Sequence, residues 1–255
     1  AIAHVVRCFN DGNVLPSESQ VDPVTDAEVV ETELLLADLN TIEKRRERTV
    51  RRAQAGEKDA QNELVRLERF QEALNSGAPA RALDLDTGEY QLLKELFLLT
   101  NKSVIYVINT DEESILSNDV RIAAVKEHAS NQAGGDSDAL VICADLEAEV
   151  ADLETAEATE FLREAGITER GIDKLVRQLY QLLGLITFFT ANETEAHAWA
   201  IPRGTAAAQA AGRVHSDIER GFIGAEVVSY ADLQACSSIT EARNQGLSRI
   251  EGRDY

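Results

Sequence analysis

The sequence contains few cysteines and few basic residues, and it has no long apolar run. Cys8, Cys143 and Cys236 are odd in number and lack a paired C-x-x-C spacing, which argues against a disulfide framework and a structural zinc site and favours a reducing compartment. Because 45 Asp and Glu residues outweigh 25 Lys and Arg residues, the net charge of −20 disfavours general coating of nucleic acid, and no DNA partner is expected. The longest apolar runs, 104–108 and 182–189, are shorter than the ~20 residues that cross a bilayer. We therefore expect a soluble, cytoplasmic protein with no membrane partner.

Methionine is absent altogether, so the chain lacks even an initiator residue. It starts directly on an apolar, strand-like segment at residues 1–6. We therefore expect a fragment of a longer protein. The 255 residues, 44% hydrophobic and 27% charged, nevertheless suffice for one large domain or two to three small ones.

Buried strands alternate with helical patterns over most of the chain. Segments 2–9, 104–108 and 139–144 are apolar and rich in β-branched residues, and each is followed by polar residues. This alternation predicts an α/β fold with a parallel sheet, whose ligands bind beyond the carboxyl ends of the strands. The loops after Ile108 and Cys143 are therefore the candidate site.

Two helical patterns lie between the first two predicted strands. Thr25-x-x-Glu28 is a capping box at the start of the first pattern, in which apolar residues recur every three or four positions as far as Ile42. The second pattern ends at the stop signal of residues 75–79. Together they predict an antiparallel helical hairpin within residues 26–95.

The last part of the chain has a different texture. Short apolar segments at 188–189, 197–201 and 221–228 are separated by glycine turns and by an alanine-rich helical segment at 206–211. We expect a small α+β module over residues 186–255.

Basic residues concentrate at the far end of the predicted hairpin. Residues 44–58 carry seven cations and two carboxylates, a net charge of +5 in an acidic chain. Such a projecting end can bind rRNA or another polyanion locally; equally, it can be a solvated helix face on which Glu43 and Glu47 form ion pairs with Arg46 and Arg51. Aromatic residues do not interleave there, so phosphate contact is the expected binding mode. The candidate contact residues are Lys44, Arg45, Arg46, Arg48, Arg51 and Arg52.

The polar loop after the second strand has a base-recognition pattern. Asn109-Thr110-Asp111-Glu112 resembles the fourth motif of P-loop GTPases, Asn-Lys-x-Asp, whose carboxylate accepts hydrogen bonds from guanine N1–H and the exocyclic amine. Here the pattern is Asn-x-x-Glu without the lysine. Adenine offers a carboxylate no bidentate partner, and a site built around one base rejects a base lacking those groups by up to ~10⁴–10⁵. The altered motif therefore predicts a relaxed or reversed guanine preference, although such a sequence after a strand is also common in surface loops.

Ordered blocks along the whole chain are similar to the YchF branch of the Obg-related GTPases. The blocks are HVVRCF at 4–9, Asp22-Pro23, ETELLLADL at 31–39, the 109–112 loop, TFFTA at 187–191, Ala198-Trp199, and His215-Ser216-Asp217-x-Glu219-x-Gly221-Phe222-Ile223.

This resemblance implies a partial P-loop NTPase (G domain) over residues 1–25 and 96–185, an inserted helical hairpin (coiled coil) over 26–95, and a TGS domain of β-grasp type over 186–255. It also implies slow hydrolysis with a preference for ATP over GTP, Mg²⁺ with the nucleotide in the complete protein, and association with ribosomes. The residues that would line the base pocket are Asn109, Thr110, Glu112, Cys143 and Ala144, of which the last two match the fifth motif of the family, usually Ser-Ala.

The chain departs from the family pattern in its phosphate-binding residues. It contains neither Gly-x-x-x-x-Gly-Lys-[Ser/Thr] nor Asp-x-x-Gly, which in a complete member would precede Ala1, and we expect the last TGS strand to follow Tyr255. Pro16 stands where family members often carry a histidine proposed to assist hydrolysis. We therefore expect this chain to be inactive and to bind no nucleotide tightly. The alternatives are a non-catalytic module that docks on RNA or protein, and a pseudoenzyme.

The histidines predict no metal site and no nucleophilic triad. His4 lies in a predicted strand and is expected to be a core residue, whereas His128 is expected near a helix end, where its cation would complement the dipole. His215 and Asp217 have the spacing of a metal pair but no third ligand. No catalytic residue and no metal ligand is predicted.

Overall fold

The computed structural model describes residues 1–9, 22–117, 119–132, 139–192, 194–236 and 238–255. The turn expected at 10–13, Pro16 and most of the loop expected at 131–138 lie outside these residues. The chain divides into two compact units, residues 1–179 and 180–255. Within the described ranges, no helix combines the length and the apolar character needed to span a bilayer.

A three-stranded parallel sheet is the centre of the first unit. Its strands are β1 (Ile2–Arg7), β2 (Val104–Asn109) and β3 (Ala139–Ile142), and β2 lies in the middle. Arg7 pairs with Asn109 and Asn109 pairs with Ile142, so all three strands end at one edge. The parallel sheet expected from the apolar runs is therefore present, although the third strand ends at Ile142 instead of at residue 144.

The hairpin consists of α1 (Pro23–Gln54) and α2 (Lys58–Asn75), which pack against each other. The prediction that the helix starts with a capping box at Thr25 is wrong, because α1 begins at Pro23. Asp22 is the N-cap and accepts hydrogen bonds from the Val24 and Thr25 amides at 3.2 Å, because these amides have no acceptor within the helix. Pro23, the first helical residue, has no N–H that would need a partner. Gly56, with φ +90°, allows the chain to reverse between the helices.

The hairpin has an apolar core of its own, which a third helix completes. A 3₁₀ turn (Ala80–Ala82) leads to α3 (Thr87–Leu96), which starts with a capping box formed by Asp86 and Glu89. The core residues are Ile42, Leu67, Phe70, Leu74, Ala80, Leu92, Leu93, Leu96 and Leu98. Helix α1 also contributes Ala27 to the core beneath the sheet, so one continuous helix connects the sheet to the hairpin.

Five further helices lie in the described part of the first unit. They are α4 (Glu112–Leu116), α5 (Val120–Gln132), α6 (Ala144–Glu149), α7 (Thr155–Glu164) and α8 (Gly171–Leu182), and the boundary between the units falls within α8. Helices α1 and α5 cover the apolar face of the sheet around Val6, Tyr106 and Val125. The short helices α4 and α6 occupy positions where only polar loop residues were expected.

In its described residues, 180–192, 194–236 and 238–255, the second unit contains two antiparallel strand pairs and four helices. Strands β4 (Leu185–Ala191) and β5 (Ala196–Pro202) form one pair, and β6 (Ala225–Val227) and β7 (Arg249–Glu251) form the other. The helices are α9 (Ala207–Val214), α10 (Ser216–Gly221), α11 (Tyr230–Cys236) and α12 (Ile239–Asn244). The prediction of a strand over 221–228 is wrong for its first half, because α10 extends to Gly221 and β6 begins at Ala225.

Candidate functional site

The loops after β2 and β3 meet at the carboxyl edge of the sheet. The side-chain oxygen Oδ1 of Asn109 accepts a hydrogen bond from the backbone N–H of Ala144 at 3.0 Å. One residue further on, the N–H of Thr110 donates to the carbonyl oxygen of Ile142 at 2.9 Å. The structure therefore brings Asn109 and Ala144, predicted from segments 35 residues apart, into direct contact.

Thr110 faces the interior rather than the loop surface. It is 2% exposed, and its hydroxyl donates to the carbonyl oxygen of Cys8 at 3.5 Å. Thr110 thereby holds the ends of β1 and β2 together beneath the loop.

Glu112 is the first residue of α4 and is exposed. Asp111 caps this helix by accepting a hydrogen bond from the Ser114 amide at 2.8 Å. Within the described residues, the Glu112 carboxylate has neither a hydrogen-bond nor an ion-pair partner, so it is available to a ligand at the rim. An Asp cap followed by two acidic residues was a sequence signal for this helix, but five residues are too few to show a period.

Cys143 joins β3 to α6 and is 4% exposed. Burial raises the pKa of its thiol, which therefore stays protonated at neutral pH. Its carbonyl oxygen accepts a hydrogen bond from the Glu147 amide, and Ala144 beside it is exposed. The carboxyl edge of the sheet thus carries the side-chain amide of Asn109, the Glu112 carboxylate and the exposed backbone at Ala144. These groups suit hydrogen bonding to a planar polar ligand.

In the described part of the chain, neither a phosphate-binding loop nor a metal cluster lies at this edge. The sequence has no Gly-x-x-x-x-Gly-Lys-[Ser/Thr] motif. Across the residues that the structure describes, no group of three or more His, Cys, Asp or Glu side chains is arranged to hold a metal ion.

Three of the six basic hairpin residues contact carboxylates of the first unit. Arg45 Nε lies 2.5 Å from Glu63 Oε1, and Arg45 Nη2 lies 3.4 Å from Glu95 Oε2. Arg46 pairs with Glu43 at 3.5 Å, and Arg52 pairs with Glu57 and, at 3.7 Å, with Glu63. The pair between Arg46 and Glu43 on α1 is one that was expected. The other partners, Glu57, Glu63 and Glu95, lie past the turn or on another helix.

The other three basic residues, Lys44, Arg48 and Arg51, are exposed. None of them forms an ion pair with the described part of the chain. The i,i+4 pair expected between Glu47 and Arg51 is therefore not formed.

Sequence reasoning missed a partly buried polar cluster beneath the sheet. Tyr106 donates its hydroxyl to Glu31 Oε1 at 2.5 Å, His128 Nε2 lies 2.9 Å from the same oxygen, and Gln132 donates to Oε2 at 2.8 Å. We expected the cation of His128 to complement the dipole at a helix end. Its ring instead contacts a carboxylate of α1. His4 is buried, as expected, and burial lowers the pKa of its ring. This cluster ties α1 and α5 to β2, and its residues lie too far apart in sequence to form a motif.

Comparison with known proteins finds relatives that share one family name. The family model YchF-GTPase_C, described as a protein of unknown function (DUF933), matches residues 185–255. The "Ribosome-binding ATPase YchF" of Bacillus subtilis is 42% identical over 257 residues, and that of Escherichia coli O157:H7 is 40% identical over 255; each match covers 100% of this chain and 69% of the relative.

Among solved structures, the YchF GTPase of Schizosaccharomyces pombe superposes with a TM-score of 0.87 at 28% identity, covering 100% of this chain and 69% of that one. The parallel sheet is therefore that of a P-loop NTPase. With relatives of 40% identity or more aligned over its whole length, the chain belongs to the YchF family.

Proposed function

We propose that the loops after β2 and β3 form the base-recognition half of a purine-nucleotide site in a YchF-type NTPase that prefers ATP to GTP. The observation that carries this proposal is the hydrogen bond from the Ala144 N–H to Asn109 Oδ1 at 3.0 Å. This bond holds the loop after β2 against the start of α6, at the edge where ligands of parallel sheets bind, and so supports a shared site there.

The loss of guanine selectivity rests on Glu112; the preference for ATP itself comes from the family resemblance. A guanine-selective carboxylate accepts two hydrogen bonds, from N1–H and from the exocyclic amine, whereas adenine has only the exocyclic donor on that edge. Glu112 is one methylene longer than the aspartate of the GTPase motif and has no partner among the described residues to orient it. A bidentate contact with guanine is therefore not preorganised, and discrimination against adenine is lost.

Phosphoryl transfer depends on positioning and on electrostatic stabilisation by a phosphate-binding loop, its lysine and Mg²⁺. The chain contains no such loop. We therefore propose that the 255 residues represent part of the NTPase, recognise a base only weakly and have no turnover by themselves. Isothermal titration with ATP and with GTP should show no micromolar binding, and micromolar ATP binding by this chain would contradict the proposal.

Amide NMR tests the base site directly. Millimolar ATP should shift the amide resonances of Asn109 and Ala144, and the Glu112→Gln variant should change the relative shifts caused by ATP and GTP. Glu113→Gln is the matched control, because Glu113 is the next exposed acid of the same helix turn. Equal effects of the two substitutions, or shifts confined to other residues, would remove Glu112 from the base site.

Ribosome association is the second part of the proposed function. It comes from the relatives named ribosome-binding ATPase, and the six basic residues at 44–52 are the candidate contact with rRNA. Co-sedimentation of the chain with 70S ribosomes tests it, and absence of the chain from the ribosome pellet at low salt would contradict it. The domain assignment belongs to this proposal: residues 1–25 with 96–185 as the nucleotide-binding part, 26–95 as the hairpin and 186–255 as a TGS domain.

A non-catalytic docking module is the alternative, and the exposed cations of the hairpin favour it. In that case ribosome binding would persist while nucleotides left every amide resonance of the 109–112 and 143–144 segments unchanged.

A further inference from the structure

The outer edge of β3 carries backbone groups that pair with no described strand. β3 is the last strand of the parallel sheet, and β2 is its only partner among the described strands. Successive residues of a strand direct their N–H and C=O groups alternately to its two sides. The carbonyl oxygen of Ile142 faces β2, because it accepts a hydrogen bond from the Thr110 N–H at 2.9 Å. The N–H and C=O of Val141 therefore face away from the sheet, where they can pair with an added strand.

A groove runs along this edge of β3 between two helices. Helix α5 covers one face of the strand, where Val141 packs against the core that contains Ile122. Helix α8 covers the other face, where Gly171 lies so close that a Cβ atom on it would be 2.7 Å from Ile142 Cγ2. The cavity between these walls has a volume of about 460 Å³, which is within the range of ligand pockets. We call it the β3 groove; its apolar lining is Ile115, Ile122, Val141, Ile142, Leu146 and Ile167.

The charges of the β3 groove that have no ion-pair partner are positive. Lys126 of α5 and Lys174 of α8 line the groove, and neither forms an ion pair with a described residue. Each acidic residue of the lining, in contrast, has an arginine partner. These pairs are Asp119 with Arg121, Glu147 with Arg170 and Glu169 with Arg177. Although the chain as a whole carries a net charge of −20, the groove therefore favours an acidic occupant.

The two lysines lie on opposite walls of the β3 groove, and this placement specifies the pattern of the occupant. Consecutive side chains of a strand point to opposite faces. A strand added beside β3 would therefore direct one side chain towards α5 and the next towards α8. Two adjacent acidic residues would meet Lys126 and Lys174, one on each wall. Apolar residues on either side of this acidic pair would contact the apolar lining.

We propose that the β3 groove binds an extended, acidic peptide segment of a partner protein, which adds to the sheet as a strand beside β3. β3 has four residues and is about 13 Å long at ~3.3 Å per residue, so the contact takes about four to six peptide residues. Main-chain hydrogen bonds with Val141 provide affinity, and the two lysines select the acidic pair. The inference does not depend on the proposed nucleotide and ribosome functions.

The probe is the blocked peptide acetyl-Thr-Val-Glu-Glu-Val-Thr-amide, and its binding is followed through the amide resonances of the protein. In the free protein, the Val141 amide should exchange with solvent faster than the amides of Leu140 and Ile142, which face β2. The peptide at saturation should shift the Val141 resonance and slow its exchange at least tenfold. A control peptide with Lys-Lys in place of Glu-Glu should cause neither change.

Charge reversal tests the role of the two lysines. The double variant Lys126→Glu with Lys174→Glu should bind the acidic peptide about tenfold or more weakly, because two attractive contacts become repulsive. Lys94→Glu with Lys102→Glu is the matched control, since these exposed lysines of the first unit give the same change in net charge away from the groove. The control should keep the parent affinity within twofold, and circular dichroism verifies that both variants are folded.

Methylation of peptide nitrogen atoms tests the backbone pairing. Methyl groups on one alternate set of residues remove the donors that face β3, whereas methyl groups on the other set leave these donors in place. The two methylated peptides should therefore differ at least tenfold in affinity. Equal affinities would show that side chains alone bind, and the added strand would be wrong.

Two further outcomes would overturn the proposal. Binding of the Lys-Lys peptide as tight as that of the acidic peptide, or no binding of the acidic peptide at millimolar concentration, would show that the groove does not recognise such a segment. Protection of Val141 that rises with protein concentration in the absence of peptide, together with a dimer in sedimentation velocity, would show that a second copy of the chain covers this edge instead.

Discussion

Oδ2 of Asp38 accepts two hydrogen bonds from Thr100, one from the backbone N–H and one from the hydroxyl, both at 2.7 Å. Oδ1 of the same carboxylate accepts from the Leu99 amide at 2.8 Å. Asp38 is 2% exposed and lies in the middle of α1, whereas Thr100 leads into β2. One side chain therefore satisfies the backbone where the chain passes from the hairpin core to the sheet.

Removal of this carboxylate should destabilise the first unit strongly. Asp38→Ala leaves the two buried Thr100 donors and the partly buried Leu99 amide without this acceptor, so we expect the free energy of unfolding in urea to fall by about 2 to 4 kcal/mol. Asp38→Asn keeps one oxygen and should lose less. Glu33→Ala, an exposed change on the same helix, should stay within about 0.5 kcal/mol; equal losses for Asp38→Ala and Glu33→Ala would show that the carboxylate has no such role.

The contact between Asn109 and Ala144 predicts a smaller and more local effect. Asn109→Ala removes the acceptor of a partly exposed hydrogen bond and should cost about 1 kcal/mol. The Ala144 amide should then exchange with solvent faster, while Asn109→Asp retains an acceptor and should protect it. Unchanged exchange at Ala144 in the alanine variant would mean that this bond does not hold the two loops together.

The sequence was sufficient to predict the elements that are long or strongly apolar. β2, with five apolar β-branched or aromatic residues in succession, and the three- and four-residue spacing along α1 have no competing interpretation. Helices α4 and α6 were missed because five or six residues do not establish a period, although Asp111 followed by Glu112 is a recognisable cap.

Contacts between distant segments were harder to predict. Arg45 pairs with Glu63 and His128 contacts Glu31, and neither pair could be derived without knowing the register of α1 against its neighbours. The predicted site loops were adjacent because parallel strands end at one edge, which topology alone requires. That Thr110 turns inward, towards Cys8, depends on side-chain packing that no motif encodes.

Asp119 should make the stability of the first unit pH-dependent at its acidic end. The Arg121 side chain, which donates to Asp119 at 2.6 Å, and the Arg121 amide hold the pKa of this carboxyl at about 2, below the value of about 3.9 for an unfolded chain. Because the folded state has the lower pKa, its stabilisation is complete above pH ~4 and is lost as pH falls towards 2.

The measurement for Asp119 is the difference in unfolding free energy between the parent chain and Asp119→Asn, taken from urea titrations at several pH values. This difference should be constant from pH 7 to 5 and shrink below pH 4. Asp152→Asn, at an exposed acid, should show no such trend. A difference for Asp119→Asn that stays constant down to pH 3 would contradict the assignment.

The thiols of Cys8 and Cys143 should be unreactive while the first unit is folded. Cys8 is fully buried, and burial raises its pKa to about 11, so at pH 8 only about one molecule in a thousand carries the reactive thiolate. Cys143 is 4% exposed and its pKa is also raised. Ellman's reagent should therefore modify both residues only as fast as the first unit opens, whereas all three cysteines should react at once in guanidinium chloride.

Peptide mapping after a timed pulse identifies the modified residue, and the Cys8→Ser variant removes the contribution of Cys8 to the labelling. Rapid labelling of Cys8 in the native protein would show that the carboxyl edge of β1 opens without global unfolding, and the loop contact through Thr110 would then be too weak to hold the candidate site in place.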